Sequence, residues 1–174
     1  MKAVVVYESH WGNTEAVARA VAEGIGADAK ALTTDEASAD AVAGADLIVA
    51  GAPVMAFGLP SERALAGLED SARTAPRPPD LSHPSLRAWL AALPAGHGAA
   101  AAFETRIWWS PRGATGTIER ALSKAGYRRL AKAERFIVSG GYGPLRDGEL
   151  DKARDWGAAL GSAIGAPAAT TIRT

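Results

Sequence analysis

One stretch near the start of the chain decides the fold: AVVVY at residues 3–7 runs into ESHWGNT at residues 8–14, and a helical pattern follows from Glu15 to Gly24. A short β-branched run that is closed by a glycine-containing turn and a helix start is typical of a buried parallel strand. The first N–H groups of the helix have no intrahelical partner, and the helix dipole is positive there. The turn is therefore predicted to bind an anion such as a phosphate.

The residue types at this turn distinguish several kinds of phosphate loop. Residues 9–14 lack the Gly-Lys-Ser/Thr ending of a nucleotide triphosphatase P-loop, and they lack the G-x-G-x-x-G pattern of dinucleotide-binding proteins. Ser9, Asn13 and Thr14 add side-chain donors, and Gly12 lets the backbone bend closely. The alternative is an ordinary turn in which Asn13 or Thr14 only caps the helix, because both residue types are favoured at N-caps.

Length and composition exclude several classes of protein. The 174 residues predict one domain spanning 1–174, and they include no cysteine, which excludes disulfides, iron–sulfur ligation and thiol catalysis. The 19 basic residues balance the 19 acidic ones, so net charge gives no footprint for nucleic acid or an anionic membrane. We find no signal peptide or membrane span and expect a soluble, cytoplasmic protein.

Five strand candidates alternate with helix-length segments. The first is 3–7, and the others are Ala29–Thr33, Asp46–Ala50, Gly98–Phe103 and Arg135–Ser139. Such alternation requires right-handed crossovers and predicts an α/β fold, a doubly wound five-stranded parallel sheet of order 2-1-3-4-5 with helices on both faces. A ligand of this sheet is expected at the carboxyl ends of the first and third strands.

Apolar spacing predicts the main helices. The first is expected to present a small-residue face to the sheet, made of Val17, Ala20, Val21 and Gly24. Another helix is predicted within the segment from Thr115 to Leu130, with its C-terminal end near Gly126. The last helix has a predicted core face made of Leu150, Ala153, Gly157, Leu160 and Ile164.

Two segments are predicted to lie at the surface. Prolines would interrupt any helix in residues 71–85, so this segment is predicted to be a surface loop. The sequence assigns no role to it. A helix follows it, with Trp89 in the core beside Leu86, Leu90 and Leu93. The tail, residues 166–174, is expected to be frayed.

The turn at residues 8–14 resembles the phosphate loop of flavodoxins, T-x-[TS]-G-N-T. Ser9, Gly12, Asn13 and Thr14 match, whereas Trp11 replaces a small hydroxyl residue. A looser form, S-x-[aromatic]-G-N-T, is similar to flavodoxin-like quinone reductases and actinobacterial flavodoxin-family proteins. The resemblance implies that residues 9–14, His10 and Trp11 included, wrap the monophosphate of the cofactor FMN.

A second loop, GAPVMAFG at residues 51–58, resembles the flavodoxin pattern G-x-P-T-[WY]-x-x-G. Val54 replaces threonine, and Met55 replaces the aromatic residue that stacks on the inner flavin face; a thioether can also pack on a ring. The resemblance implies flavin contacts from Pro53, Val54, Met55, Ala56, Phe57 and Gly58. The alternative is that Met55 and Phe57 are core residues beneath the loop. The glycine at 58 is expected to let the backbone turn toward the reduced flavin.

The third loop is predicted at residues 104–113, ETRIWWSPRG. Two adjacent tryptophans cannot both point into one core, so at least one of Trp108 and Trp109 is predicted to be exposed or to cover a ligand. The resemblance implies that one of them stacks on the outer flavin face, with Thr105 and Arg106 also at the cofactor. Arg106 is further expected to raise the flavin potential by its charge.

Other chemistries lack the residues that they require. The histidines His10, His83 and His97 have no metal-ligand spacing, so a zinc site is not expected. The G-x-S-x-G sequence of a serine hydrolase elbow is absent, and no general acid–base pair stands out. Redox chemistry would therefore come from a bound cofactor.

The resemblance implies a flavodoxin-like electron carrier that moves electrons between a reductase and an acceptor protein. One alternative is an FMN-dependent quinone or protoporphyrinogen oxidoreductase on the same fold. A second is a flavin-free interaction domain that kept the fold. Flavodoxins are usually strongly acidic, whereas this chain has zero net charge, so long-range steering of partners is expected to be weak.

Overall fold

The computed structural model describes residues 1–68 and 75–165. The strands in these residues are β1 (Ala3–Tyr7), β2 (Lys30–Thr33), β3 (Leu47–Pro53), β4 (Ala99–Ile107), β5 (Arg128–Arg129) and β6 (Glu134–Val138). The helices are α1 (Asn13–Ile25), α2 (Ala39–Val42), α3 (Glu62–Ala66), α4 (Leu86–Ala92), α5 (Thr115–Lys124) and α6 (Glu149–Gly165). In this part of the chain no helix combines the length and apolarity needed to cross a bilayer. The tail prediction and the start of the proline-rich loop lie outside the described residues.

The strands form one parallel sheet of order β2-β1-β3-β4-β5, which confirms the predicted order. Its fifth position is shared by two short strands, because β5 pairs with the start of β4 and β6 pairs with the end. The helix predicted within the segment from Thr115 to Leu130 ends at Lys124. Gly126 has the left-handed φ of +95° that terminates helices, and Arg128–Arg129 then join the sheet.

The fourth strand is longer than predicted. Residues 104–107 belong to β4 and not to a loop, because they pair in register with residues 135–138 of β6. On the other side, Thr105 pairs with Pro53 at the end of β3. The sequence did not predict this part of the strand because residues 104–106 are polar. Strand prediction relied on the pattern of apolar residues, which does not reveal backbone pairing.

Alternate residues of the strands pack on opposite faces, as a covered parallel sheet requires. In β1, Val4 and Val6 contact the core formed with α4 and α5, whereas Val5 contacts the core formed with α1 and α6. Helices on both faces confirm the doubly wound architecture. Trp89 of α4 is buried as predicted, and its indole N–H donates to the carbonyl of Ala37 at 2.7 Å.

The glycines of α1 and α6 let these two helices pack against each other. A Cβ on Gly24 would overlap the carbonyl of Arg154, and one on Gly157 would overlap the carbonyl of Val21. Gly24 therefore faces α6. The prediction that it packs against the sheet is wrong. Leu150 was also expected in the core, but it is 36% exposed because the buried side of α6 begins only at Ala153.

Candidate functional site

A cleft of about 100 Å³ lies where β1, β3, β4 and β6 end. It brings together most of the residues predicted from the three loops: Ser9, His10, Trp11, Asn13, Thr14, Pro53, Val54, Met55, Thr105 and Arg106. The remaining predicted residues do not line it: Gly12, Ala56, Phe57, Gly58, Trp108 and Trp109. Its walls also include residues that were not predicted: Ile107, Val138, Gly140 and Gly141. The last two could have been anticipated, because the loop after the fifth sheet position borders the same edge.

A larger cavity of about 650 Å³ lies at the opposite, amino ends of β3 and β4. Alanine, glycine and proline make up most of its walls, and Asp46, His97, Tyr127 and Arg128 also line it. Helix N-termini, which attract anions, point toward the carboxyl ends of a parallel sheet. The smaller cleft is therefore the candidate site. Within residues 1–68 and 75–165, no group of three or more His, Asp or Glu side chains is arranged to hold a metal ion.

The N-terminus of α1 is open toward this cleft. Gly12 is its N-cap residue and has a left-handed φ of +84°, and its N–H donates to Ser9 Oγ at 3.1 Å. No side chain among the described residues caps α1. By contrast, serine hydroxyls at positions 38, 61 and 85 cap α2, α3 and α4. The first N–H groups of α1 thus remain available to an anion.

The side chains of Asn13 and Thr14 connect the loop to its neighbours. Asn13 Nδ2 donates to the carbonyl of Tyr142 at 3.0 Å, in the loop after β6. Thr14 Oγ1 lies 2.8 Å from Thr105 Oγ1 at the end of β4, and both hydroxyls are buried. Neither side chain caps α1, because Gly12 is the N-cap residue and the side chains of Asn13 and Thr14 bond to Tyr142 and Thr105 instead.

Trp11 connects the loop to a segment that the sequence left without a role. Its indole N–H donates to the carbonyl of Arg77 at 3.3 Å, and its ring meets that of Tyr142 edge-on at 4.9 Å between centroids. Residues 75–85, which we call the strap, thus lie beside the loop at residues 9–12. The aromatic residue that departs from the flavodoxin pattern holds the strap in place.

A buried ion pair fixes the strap more firmly. His10 and Glu8 are each 5% exposed, and His10 Nε2 lies 3.2 Å from Glu8 Oε1. His10 Nδ1 lies 3.0 Å from the carbonyl of Asp80, and the Asp80 N–H donates to the carbonyl of His10 at 2.9 Å. Carbonyl and carboxylate oxygens only accept, so the positively charged imidazolium, which carries a proton on both ring nitrogens, suits these two contacts better than the neutral ring does.

The environment of His10 agrees with that charge. Burial by itself lowers the pKa of His10, but the hydrogen bonds to Glu8 and to the Asp80 carbonyl, together with the Glu8 charge, outweigh it. The pKa of His10 is raised above its ordinary value of 6.5. Glu8 also accepts the Leu86 N–H at 2.8 Å, so the same pair joins β1, the strap and the start of α4.

The second predicted loop forms a tight hairpin. Met55 and Gly58 exchange backbone hydrogen bonds at 2.9 Å, and the two residues between them, Ala56 and Phe57, have left-handed φ values of +45° and +68°. This is a type I′ turn built without glycine at its centre, which costs energy. Phe57 is 52% exposed, so the alternative that it is a core residue is wrong. Met55 is half-buried and lines the cleft.

Both tryptophans of the third loop are exposed, Trp108 by 67% and Trp109 by 58%. The prediction that at least one would be exposed is confirmed. They directly follow Ile107, the last residue of β4, which lines the cleft. Trp108 and Trp109 thus directly follow a residue of the cleft wall in sequence, and Phe57 comes two residues after Met55, which also lines the cleft.

Glu104 and Arg106 form a buried pair at the end of β4. Arg106 Nη1 donates to Glu104 Oε1 at 2.9 Å, and Glu104 is fully buried. Glu104 Oε2 accepts the N–H groups of Ala114 and Thr115 at 2.6 and 3.0 Å, so this carboxylate caps α5 from the sheet. Arg106 lines the cleft with its charge already compensated, which reduces the effect that it was expected to have on a flavin.

No protein-family model matches this sequence, and no curated protein matches it. Solved structures do share its architecture. A flavodoxin from the domain Archaea has 21% sequence identity and a TM-score of 0.65, and the match covers 94% of this chain and 99% of that one. A flavodoxin, WrbA-like protein from Agrobacterium tumefaciens has 22% identity and a TM-score of 0.61, with 94% and 96% of the two chains covered. Oxidised flavodoxin 1 from Bacillus cereus has 17% identity and a TM-score of 0.65, with 92% and 97% covered.

Proposed function

We propose that this chain, which has the flavodoxin-like fold, binds FMN at the carboxyl ends of β1, β3 and β4 and carries electrons between a reductase and an acceptor protein. One observation carries the proposal. The uncapped N-terminus of α1, opened by the left-handed Gly12, borders the cleft that the three predicted loops form together. A phosphate is the group that such a terminus binds best.

The residues around α1 fit the phosphate of FMN. The first N–H groups of the helix would donate to its oxygens, and the Ser9 hydroxyl would add a further donor. The Asn13 and Thr14 side chains hold the loop against the strands on either side of it, as their bonds to Tyr142 and Thr105 show. This loop is therefore preorganised, which reduces the entropy lost on binding.

The flavin ring would lie at the mouth of the cleft. A cleft of about 100 Å³ is smaller than the roughly 300–1,000 Å³ of pockets that enclose a whole small ligand. Met55 would cover one side of the ring, and the exposed aromatic residues Phe57, Trp108 and Trp109 would cover the rest and exclude water. The strained turn at Ala56 and Phe57 is the kind of feature that persists at binding sites.

Bound FMN would supply one-electron and two-electron redox chemistry. The protein residues bind it, orient it and shield its ring, and we assign none of them a catalytic proton transfer. The proposed setting is the cytoplasm, which suits a sequence without cysteine. Because the net charge is zero, local contacts beside the ring would select the redox partners more than long-range attraction.

Titration of the purified protein into FMN, followed by flavin fluorescence, tests the cofactor. We expect quenching that saturates at about micromolar protein, the range of an ordinary specific site. Fluorescence that does not change would contradict every flavin-binding function and favour the interaction domain. An unrelated protein of the same concentration controls for nonspecific quenching.

A second experiment separates the carrier from an enzyme on the same fold. The FMN-loaded protein is mixed with NADPH and a quinone, first alone and then with an added flavodoxin reductase. We expect quinone reduction only when the reductase is present. Rapid turnover without the reductase would show that the protein is an oxidoreductase in its own right.

A further inference from the structure

The strap crosses the candidate phosphate loop and is attached to it at two consecutive residues. Trp11 donates its indole N–H to the carbonyl of Arg77, and His10 exchanges two hydrogen bonds with the backbone of Asp80. The His10 contacts are buried, so the backbone of the strap is held in place on the side next to the loop. Arg77, which lies between the prolines of this segment, is thereby carried to the start of α1.

The guanidinium of Arg77 lies against the N-cap of α1. Its Nη2 is 2.8 Å from the position that a Cβ on Gly12 would take, so the absence of a side chain at Gly12 makes room for it. Arg77 is exposed and forms no ion pair with any residue that the structure describes. Glu15, the acidic residue in the first turn of α1, is paired with Arg19 at 2.8 Å.

This arrangement places two positive groups next to each other. The N-terminus of a helix carries about half a positive elementary charge, and a guanidinium beside it adds a full one. The two repel each other unless an anion binds both. A phosphate monoester, with up to two negative charges, satisfies the helix N–H groups and the guanidinium at once.

We propose that Arg77 is a binding residue for the phosphate group of FMN and makes the site select phosphorylated flavin over riboflavin. This role rests on the proposed function, since it names the part of the cofactor that the strap recognises. The strap then acts as a clamp: the loop holds the phosphate from the helix side, and Arg77 closes over it from the solvent side. Riboflavin, which lacks the phosphate, gains nothing from Arg77.

The test measures FMN and riboflavin dissociation constants by fluorescence for the wild type, R77Q, R77K and a control, R128Q. Arg128 is also an exposed arginine, but it lies in β5 at the other end of the sheet, so R128Q makes the same change in net charge. We expect R77Q to weaken FMN binding about tenfold, the effect of losing one charge-assisted hydrogen bond. Riboflavin binding should be unchanged in R77Q, and R77K should recover part of the loss through its charge.

Each other outcome has a distinct meaning. Equal FMN affinity in R77Q and R128Q would overturn the clamp and leave the proposed function intact. Equal weakening of FMN and riboflavin in R77Q would also overturn it, because Arg77 would then only shape the strap. If the wild type binds no FMN, the proposed function fails, and calorimetry with inorganic phosphate tests the clamp alone: weaker phosphate binding by R77Q than by R128Q would support it, and equal or absent binding would overturn it.

Discussion

Glu104 shows how one residue can support a site without touching a ligand. Its carboxylate is fully buried, caps α5 through two backbone N–H groups and neutralises Arg106, which lines the cleft. A Cβ on Gly113 would overlap this carboxylate, so the glycine leaves room for it. The sequence showed a charged residue after an alanine-rich run, but not the partners that make its burial tolerable.

At the residue scale, we predict that Glu104→Gln destabilises the protein. An amide can accept hydrogen bonds at the α5 cap, but it leaves the buried Arg106 without a counter-charge, so we expect a loss of about 3 kcal/mol in unfolding free energy. Urea unfolding measures it. Glu119→Gln is the control, because Glu119 only approaches the exposed Arg129 at 3.9 Å. Similar stability of the two variants would show that Arg106 finds another partner.

At the scale of elements, the contact between α1 and α6 fixes the helix that carries the candidate phosphate loop. The sequence predicted the two helices and their small residues correctly, but it assigned Gly24 to the sheet. Spacing along one helix identifies a close-packing face without saying which neighbour fills it. Here Gly24, Gly157 and Gly161 all lie against the backbone of the partner helix.

We predict that Gly157→Ala lowers the unfolding free energy by about 1–3 kcal/mol, the usual effect of overpacking a close contact. The new methyl group would overlap the Val21 carbonyl and force α1 and α6 apart. Urea unfolding again provides the measurement. Gly165→Ala in the same helix is the control, since a Cβ there meets nothing within 4 Å. Equal unfolding midpoints for both variants would mean that the helices separate at no cost.

The strap is the element that sequence analysis interpreted least well. Its prolines correctly excluded a helix, but the expectation of a surface loop missed that it is anchored to a buried histidine. The carboxylate of Glu8 and the carbonyl of Asp80 face the two ring nitrogens of His10. The Asp80 carboxylate also acts on His10 through its charge, and its Oδ2 lies 3.7 Å from His83 Nε2.

This geometry predicts a pH dependence of stability. The pKa of His10 is raised in the folded protein, so the folded state holds this proton more tightly than the unfolded chain does. The stabilisation is complete below the ordinary pKa of 6.5 and is lost as pH rises through the raised value. Urea unfolding between about pH 6 and pH 9 should show a decline in the wild type and in His97→Gln, whose histidine is exposed, and a smaller one in His10→Gln. A decline of equal size in His10→Gln would assign the titration to a group other than His10.

At the scale of the whole molecule, the flavodoxin-like fold brings loops from four parts of the chain to one edge of the sheet. A ligand bound in the cleft would contact the ends of β1, β3, β4 and β6 at once, so it would stabilise the folded state as a unit. With FMN at about 100 times its dissociation constant, we expect about 2.7 kcal/mol of stabilisation and a rise in Tm of about 5–10 °C.

Thermal unfolding with FMN, riboflavin and no ligand measures this effect. Riboflavin at the same concentration should raise Tm less, because it cannot use the open N-terminus of α1. Equal shifts from the two flavins would contradict a phosphate-centred site, and no shift from either would contradict flavin binding.

The sequence by itself determined the strand order, the covered sheet and the turn at residues 8–14, because these follow from local alternation and from residue types next to each other in the chain. The tertiary structure decided which partners complete the site. Asn13 meets Tyr142 across 129 positions, and His10 meets the strap across 70. Such pairings cannot be predicted from a pattern of neighbouring residues, because the pairings depend on how the loops and strands come together in space. The turn at residues 8–14 was therefore predictable, whereas the contacts that Arg77 and His10 make beside it were not.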